Sequence, residues 1–239
     1  MVDRLDVVVV GGGAAGLSGA VALTRSRRSV LVIDSEEPRN APAGHVRNYL
    51  GREGAPPAEL YAAGRAEVRG YGGEVMAGRV VAATARADGF MVELEDGSGV
   101  RARRLLVTTG LVDELPDVPG LAQRWGRDVL HCPYCHGYEV RDQAIGVLAT
   151  GPMATHQAQL FRQLSADVTL FLHTAAALTP TETDELTARG IAVVGGEVTG
   201  LEVTDDRLSG VVLRSGEVVA RQALAVAPLF TARAAVPTS

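Results

Sequence analysis

The sequence predicts an α/β protein of two similar lobes, each a three-layer ββα arrangement of the nucleotide-binding type. Three observations predict it. An apolar run at Leu5 to Val10 leads through Gly11-Gly12-Gly13-Ala14-Ala15-Gly16 into a helical pattern, and a following strand-like run ends on Asp34. The order strand, turn, helix, strand returns from Ala144 onward. Short strands alternating with helical segments are the pattern of parallel sheets covered by helices.

Composition sets the outer bounds. A chain of 239 residues with 46% hydrophobic and 21% charged residues can bury one large or two modest cores. The net charge of −5 argues against a nucleic-acid or anionic-membrane partner. Every basic residue besides histidine is arginine. The start of the chain carries charges of both signs and runs straight into Val7-Val8-Val9-Val10. It lacks the pattern of a signal peptide, and no segment has the length of a membrane span. A cytoplasmic protein is expected, and in that compartment cysteines serve chemistry rather than stapling.

In the first lobe, Leu5 to Val10 reads as a buried parallel strand. A helix follows through Leu17, Ala20, Val21 and Leu23 to about Arg28, and Ser29 to Ile33 forms a second strand. This is the context that G-x-G-x-x-G requires. Glycines permit the tight turn and close approach of a pyrophosphate to the helix N-terminus, and Asp34, 18 positions after Gly16, can bond a ribose hydroxyl. Residues 36–57, rich in Pro, Gly, Asn and Arg, read as an extended loop. Arg39, Asn40, His45 and Asn48 are available there for hydrogen bonds or as ordinary loop residues. Pro57 to Tyr71 has helical spacing. Val75 to Arg86 and Phe90 to Leu94 alternate like meander strands, and Ala102 to Val107 is another apolar strand ending at Thr108-Thr109-Gly110. Leu111 to Gly120, with Pro116 and Pro119, is a candidate linker. The boundaries read as 1–115, 116–228 and a return to the first lobe over 229–239.

The second lobe offers a strand at Ala144 to Thr150, a helix at Met153 to Leu164 and a strand at Val168 to Leu172. A helix over Thr181 to Arg189 opens on a Thr-x-x-Asp capping pattern. Further strands read at Ile191 to Val194, Glu197 to Val203, Leu208 to Leu213 and Gln222 to Ala227. Its turn is Ala149-Thr150-Gly151-Pro152-Met153-Ala154, with alanine where the first glycine belongs. Its second strand ends at His173-Thr174-Ala175, without an acid for a ribose diol or arginines for a 2′-phosphate. The context suits NAD(P)H, but the ligating residues are missing.

The only two cysteines lie in His131-Cys132-Pro133-Tyr134-Cys135-His136-Gly137-Tyr138-Glu139. C-x-x-C spacing can place both thiols at the first turn of a helix, whose N-terminus stabilises a thiolate. A redox pair is the leading reading. A metal site competes because four potential ligands are present, though six contiguous residues wrap one tetrahedral ion poorly. Inert buried thiols are the third possibility. His136 can serve as acid or base, or sit on a helix surface as an ordinary histidine, whereas His131 reads as structural.

With these residues in view, the chain resembles the low-molecular-weight thioredoxin reductase family, on the side of the FAD-dependent dithiol oxidases that close disulfides in products such as gliotoxin and holomycin. The features that carry this are Gly11 to Gly16 with Asp34, Asn48, Thr109-Gly110, Pro119-Gly120 and above all Cys-Pro-Tyr-Cys-His-Gly-Tyr-Glu at 132–139, where His136 follows the second cysteine. The resemblance implies a Rossmann-like fold whose first lobe lacks its usual C-terminal completion. It implies FAD held by Gly11, Gly13, Ala14, Ala15, Gly16, Asp34, Ser35, Arg39, Asn40, His45, Asn48, Val81, Thr109 and Gly110. It also implies Cys132 exchanging with substrate, Cys135 facing the flavin, His136 carrying protons, and a homodimer. The expected partner is a small-molecule dithiol, oxidised with oxygen as acceptor, or a thioredoxin-like protein if NAD(P)H supplies electrons. A non-catalytic nucleotide-binding remnant is the remaining alternative.

Overall fold

The structure is a computed structural model that describes residues 4–234 and Val236. The chain divides into two compact units, residues 1–45, 54–112 and 231–239 against residues 46–53 and 113–230.

The first unit contains β1 (Leu5–Val10), α1 (Ala14–Arg25), β2 (Val30–Asp34), α2 (Pro57–Gly70), β3 (Glu74–Ala77), β4 (Val80–Arg86), β5 (Gly89–Leu94) and β6 (Gly99–Val107). They form one sheet in the order β3-β2-β1-β6-β5-β4. The strands β3, β2, β1 and β6 run parallel, and β6, β5 and β4 are antiparallel to one another. The valine run of β1 has no solvent face. Val7 and Val9 pack with Leu17, Ala20 and Val68 of the helices, whereas Val8 and Val10 pack with Val92, Leu94 and Ala102. Alternation with a period of two divides one strand between two cores, which is the physical content of the three layers.

Two boundaries in this unit differ from the sequence reading. The first helix stops at Arg25 rather than Arg28, because Arg27 takes a left-handed backbone (φ 60°) and its N–H closes on the Thr24 carbonyl. The stretch Val75 to Arg86 is two strands. Gly78 breaks it by donating its N–H to the Asp34 carbonyl (2.9 Å), so β3 extends the parallel sheet and β4 turns into the hairpin with β5.

β7 (Leu111–Glu114) follows, so the first four residues of the expected linker are a strand. The second unit then contributes α3 (Leu121–Arg124), β8 (Val129–Leu130), α4 (Pro133–His136), β9 (Ile145–Leu148), α5 (Ala154–Phe161), β10 (Val168–Phe171), α6 (Pro180–Ala188) and β11 (Ala192–Val194). After these come β12 (Val198–Thr204), β13 (Arg207–Leu213), β14 (Val218–Ala220), β15 (Ala223–Val226) and β16 (Leu229–Ala232), the last pairing with β7. A parallel sheet β11-β10-β9-β15-β8 carries α5 and α6 on one face and the antiparallel sheet β12-β13-β14 on the other. Val147, Leu170 and Ala225 pack with Ala158, Phe161 and Leu186, while Leu148, Phe171 and Leu224 pack with Val198, Val211 and Leu213. The period-two division of β1 is therefore repeated.

α6 begins one residue earlier than its sequence pattern suggested. Thr179, not Thr181, is the cap, and it exchanges hydrogen bonds with Glu182 in a full capping box with Pro180 in the first turn. Arg124 is buried, and it is tolerated there because Asp128 and Asp206 both accept hydrogen bonds from it (2.8 Å each). Asp128 also accepts the Leu208 N–H, which ties α3 to the β12–β13 hairpin.

Phe161 is fully buried in the helix-side core of this unit. Phe161→Ala is expected to lower the unfolding free energy by about 3–5 kcal/mol in urea titrations. His156→Ala, on the exposed side of α5, should stay within about 0.5 kcal/mol.

Candidate functional site

In the first unit the strand ends and the glycine turn surround a cavity of about 880 Å³. Gly11 has φ 103°, and a Cβ there would stand 2.5 Å from the Thr108 carbonyl oxygen. A Cβ on Gly16 would collide with the Gly11 carbonyl, so α1 rests directly on the turn. Thr108 completes the arrangement by donating its hydroxyl to the carbonyls of Val10 (3.1 Å) and Gly11 (2.8 Å). The turn is thus pulled tight against β6, and α1 starts at Gly13 with no side-chain cap. Its first N–H groups are left for a ligand, as anion recognition at a helix N-terminus requires. Asp34 lies over the turn, its carboxylate 2.9 Å from where a Gly12 Cβ would be.

Most of the sequence-predicted cofactor residues line this cavity. Gly11, Gly13, Ala14, Ala15, Asp34, Ser35, Arg39, Val81, Thr109 and Gly110 do so. Gly16 lies beneath the turn. Asn40 accepts a hydrogen bond from Tyr61 (2.7 Å), whose ring lines the cavity. His45 bonds the Gly54 carbonyl through Nδ1 (3.0 Å) and is not a lining residue. Asn48 belongs to the second unit, where its amide donates to the Tyr134 carbonyl. Sequence reading missed Tyr61, Arg65, Arg79 and Arg233. Arg79 pairs with Glu37 (2.7 Å), and Arg233 is fixed by Thr109, whose hydroxyl donates to its carbonyl (2.6 Å). None of the four sits in a motif. Only Gly78, the strand breaker beside Arg79, could have drawn notice to its neighbour.

In the second unit Cys132 is the N-cap of α4 and Cys135 lies within that helix. The Cys135 N–H donates to the Cys132 Sγ (3.2 Å), and the two cysteines are not joined in a disulfide. Cys132 is half-buried and Cys135 exposed. Around them His131 is anchored twice, through Nδ1 to the Val226 carbonyl (3.1 Å) and through its own carbonyl to the Gln157 amide (3.0 Å). The Phe230 ring meets its imidazole edge-on at 5.2 Å. His136 ends α4, half-buried. Arg47 pairs with Glu139 (2.9 Å) next to the Asn48–Tyr134 bond, so the 46–53 loop is pinned to the cysteine turn. Tyr49, Leu50, Tyr134 and Tyr138 expose apolar surface on these same two segments. Among the described residues no group of three or more His, Cys, Asp or Glu side chains is arranged to hold a metal ion, and no helix is long and apolar enough to cross a membrane.

The counterpart of the first cavity, at the strand ends of the second unit, is about 400 Å³ and lined mainly by Ala, Thr, Leu and Gly. Its lining holds no arginine, and its one ionisable side chain is Glu182. Leu172 takes the position in register with Asp34, and His173, the next residue, is not part of the lining. Its Nδ1 accepts the Val198 N–H (3.0 Å), and burial pushes its pKa below the usual value. These residues do not fit the phosphates of a nicotinamide dinucleotide.

Two units of this architecture with a C-x-x-C pair in the second define a class, and the chain belongs to the pyridine nucleotide-disulphide oxidoreductase family, whose model matches residues 5–227. The family is flavin-dependent in its thioredoxin reductase-like members, and the first cavity offers the glycine cradle and carboxylate that such a cofactor needs. The crystal structure of HlmI matches with a TM-score of 0.94 at 47% identity, over 100% of this chain and 76% of that one. The structure of an oxidoreductase from Agrobacterium tumefaciens matches with a TM-score of 0.91 at 35% identity, over 96% and 77%. "Thioredoxin reductase tcpT" of Claviceps purpurea is 37% identical over 176 residues, 70% of this chain and 55% of its own length. The chain spans about half the length of the curated relatives it matches.

Two outcomes are expected. Gly16→Ala should destabilise by about 1–3 kcal/mol, because the methyl meets backbone, even though Ala in a helix interior normally stabilises. Gly13→Ala, with open space around its Cβ, should change stability by at most about 1 kcal/mol in the same denaturant titration. The lowered pKa of His173 means that the unfolded chain binds more protons below pH 6.5. Stability should therefore be full above pH 6.5 and fall as pH drops through the folded-state value, and His173→Asn should flatten that limb in melting curves.

Proposed function

We propose that this protein is a flavin-dependent thiol/disulfide oxidoreductase that oxidises a small-molecule dithiol to its disulfide with oxygen as the acceptor. In the balanced reaction two S–H bonds are lost and one S–S bond forms, while two electrons and two protons convert oxygen to hydrogen peroxide. The observation that carries this reading is the contrast between the two strand-end cavities. The first has a glycine cradle, Asp34 and several arginines, whereas the second has no cation and one carboxylate. A protein able to hold a flavin but not a nicotinamide must take its electrons from the thiol side.

A bound flavin would supply the two-electron acceptor. The backbone N–H groups after Gly13 and the start of α1 would hold its pyrophosphate, and Asp34 would accept from ribose hydroxyls. Arg39, Arg65 and Arg79 would offset phosphate charge. Starting from the oxidised Cys132–Cys135 pair, a substrate thiolate attacks the Cys132 sulfur and releases the Cys135 thiolate. The substrate's second thiol then attacks the substrate's own sulfur in the mixed disulfide, releasing the Cys132 thiolate and closing the product disulfide. The reduced cysteine pair passes its two electrons to the bound flavin. His136, at the end of α4, takes up the thiol protons. His131 presents Nε2 with Nδ1 already committed to Val226. The exposed Tyr49, Leu50, Tyr134 and Tyr138 give an apolar substrate surface to approach.

The names of several relatives favour a second reading, NAD(P)H-dependent reduction of a thioredoxin-like disulfide. Anaerobic titration separates the two. A small dithiol such as dithiothreitol should bleach the flavin absorbance, air should restore it with one peroxide formed per disulfide, and NADPH should leave it unchanged. Bleaching by NADPH would establish the reductase reading instead, and a chain that takes up no FAD would defeat both. Cys135→Ser should abolish dithiol-driven bleaching, and full bleaching in that variant would refute its role.

A further inference from the structure

We infer that Glu182 is the residue that shuts the second strand-end cavity to a dinucleotide, its carboxylate occupying the place that a phosphate would take at the start of α5. The inference deepens the oxidase reading and rests on it. Glu182 lines the cavity together with Thr150, Gly151, Ala154 and Thr155, the residues of the turn that opens α5. One carboxylate oxygen lies 3.4 Å from the hydroxyl of Thr155, in the first turn of that helix. The other accepts from the N–H and hydroxyl of Thr179 (2.8 Å each), which locks the side chain in the α6 capping box. These hydrogen bonds hold its carboxyl below the usual carboxylate range, the Thr179 N–H first among them. It is therefore an anion at neutral pH.

The physical consequence is a substitution of ligand by protein. A helix start that opens on a cavity favours negative charge, and here the chain supplies it from its own neighbouring helix. An incoming pyrophosphate meets a like charge held against the Thr155 hydroxyl at the start of α5. No arginine lines the cavity to offset that repulsion. Leu172, in register with Asp34, offers no carboxylate to a ribose. The loss of nicotinamide binding is thus an active exclusion by one carboxylate on α6, beyond the mere absence of ligands on the turn.

The test titrates the intact protein with NADPH by calorimetry, which reads binding without turnover. Wild type should show the weakest binding. Glu182→Gln keeps the reciprocal cap, because glutamine also serves at that position, and should bind at least about tenfold more tightly. Glu182→Ala removes the same charge without the cap and should gain in the same direction, which guards against a folding artefact in either variant. Glu185→Gln removes an equal charge from the same helix but outside the cavity lining, and should behave as wild type. If the two Glu182 variants bind no better than wild type, or Glu185→Gln gains as much, the inference is overturned while the oxidase reading stands. Tight NADPH binding by wild type itself would overturn both.

Discussion

A parallel strand in the middle of a sheet has no face to show to water, and each unit of this protein is built to satisfy that. In β1 the odd valines go to the helices and the even ones to the meander. In β9 Val147 faces α5 and Leu148 faces β12–β13. Each fully buried valine or leucine contributes about 1.5–3 kcal/mol relative to exposure, so neither layer can be removed without stranding the other. This double cover also fixes where chemistry can occur. With both faces closed, the open parts of the sheet are its strand ends, and there α1 and α5 begin.

What the two sets of strand ends do is decided by a few side chains, and the common scaffold leaves them free to differ. In the first unit Gly11 and Gly16 let α1 press on the turn, and Asp34 crosses over it. In the second, Ala149 follows β9 where Gly11 follows β1, and Leu172, in register with Asp34, carries no carboxylate. The next residue, His173, holds the first residue of β12 by accepting its N–H.

Much of this was legible in the sequence because the signals were local. A run of four valines, a glycine turn and an acid at the right distance specify a βαβ unit through backbone sterics and strand burial. Element edges were less legible where one residue's backbone decides the outcome, as at Arg27 and Gly78, or where two capping patterns overlap, as at Thr179 and Thr181. In the second case Pro180 carries the deciding signal, since it is favoured in the first turn and cannot be accommodated further in. Of the cavity arginines only Arg39 was legible; Arg65, Arg79, Arg233 and Tyr61 were not. They come from α2, from the β3–β4 break and from the segment after β16, and only the tertiary fold brings them to one wall. The short strands β7 and β16 were hidden for the same reason, since each is defined by its partner and not by its own pattern.

The cysteine turn shows how far spacing alone can go. A helix of four residues is not stable by itself, because the cost of fixing the first turn exceeds what one or two hydrogen bonds return. Its geometry is imposed from outside. Gln157 on α5 holds the carbonyl before Cys132, Val226 at the end of β15 holds the His131 ring, and Asn48 on the 46–53 loop holds the Tyr134 carbonyl between the two thiols. Three segments distant in sequence therefore set the positions of two sulfurs that are three residues apart. C-x-x-C spacing permits both a metal site and a redox pair, and what distinguishes them is the use made of the flanking groups. His131 has turned Nδ1 away from the sulfurs to the end of β15. The Cys135 N–H is directed at the Cys132 sulfur, where it favours the thiolate form.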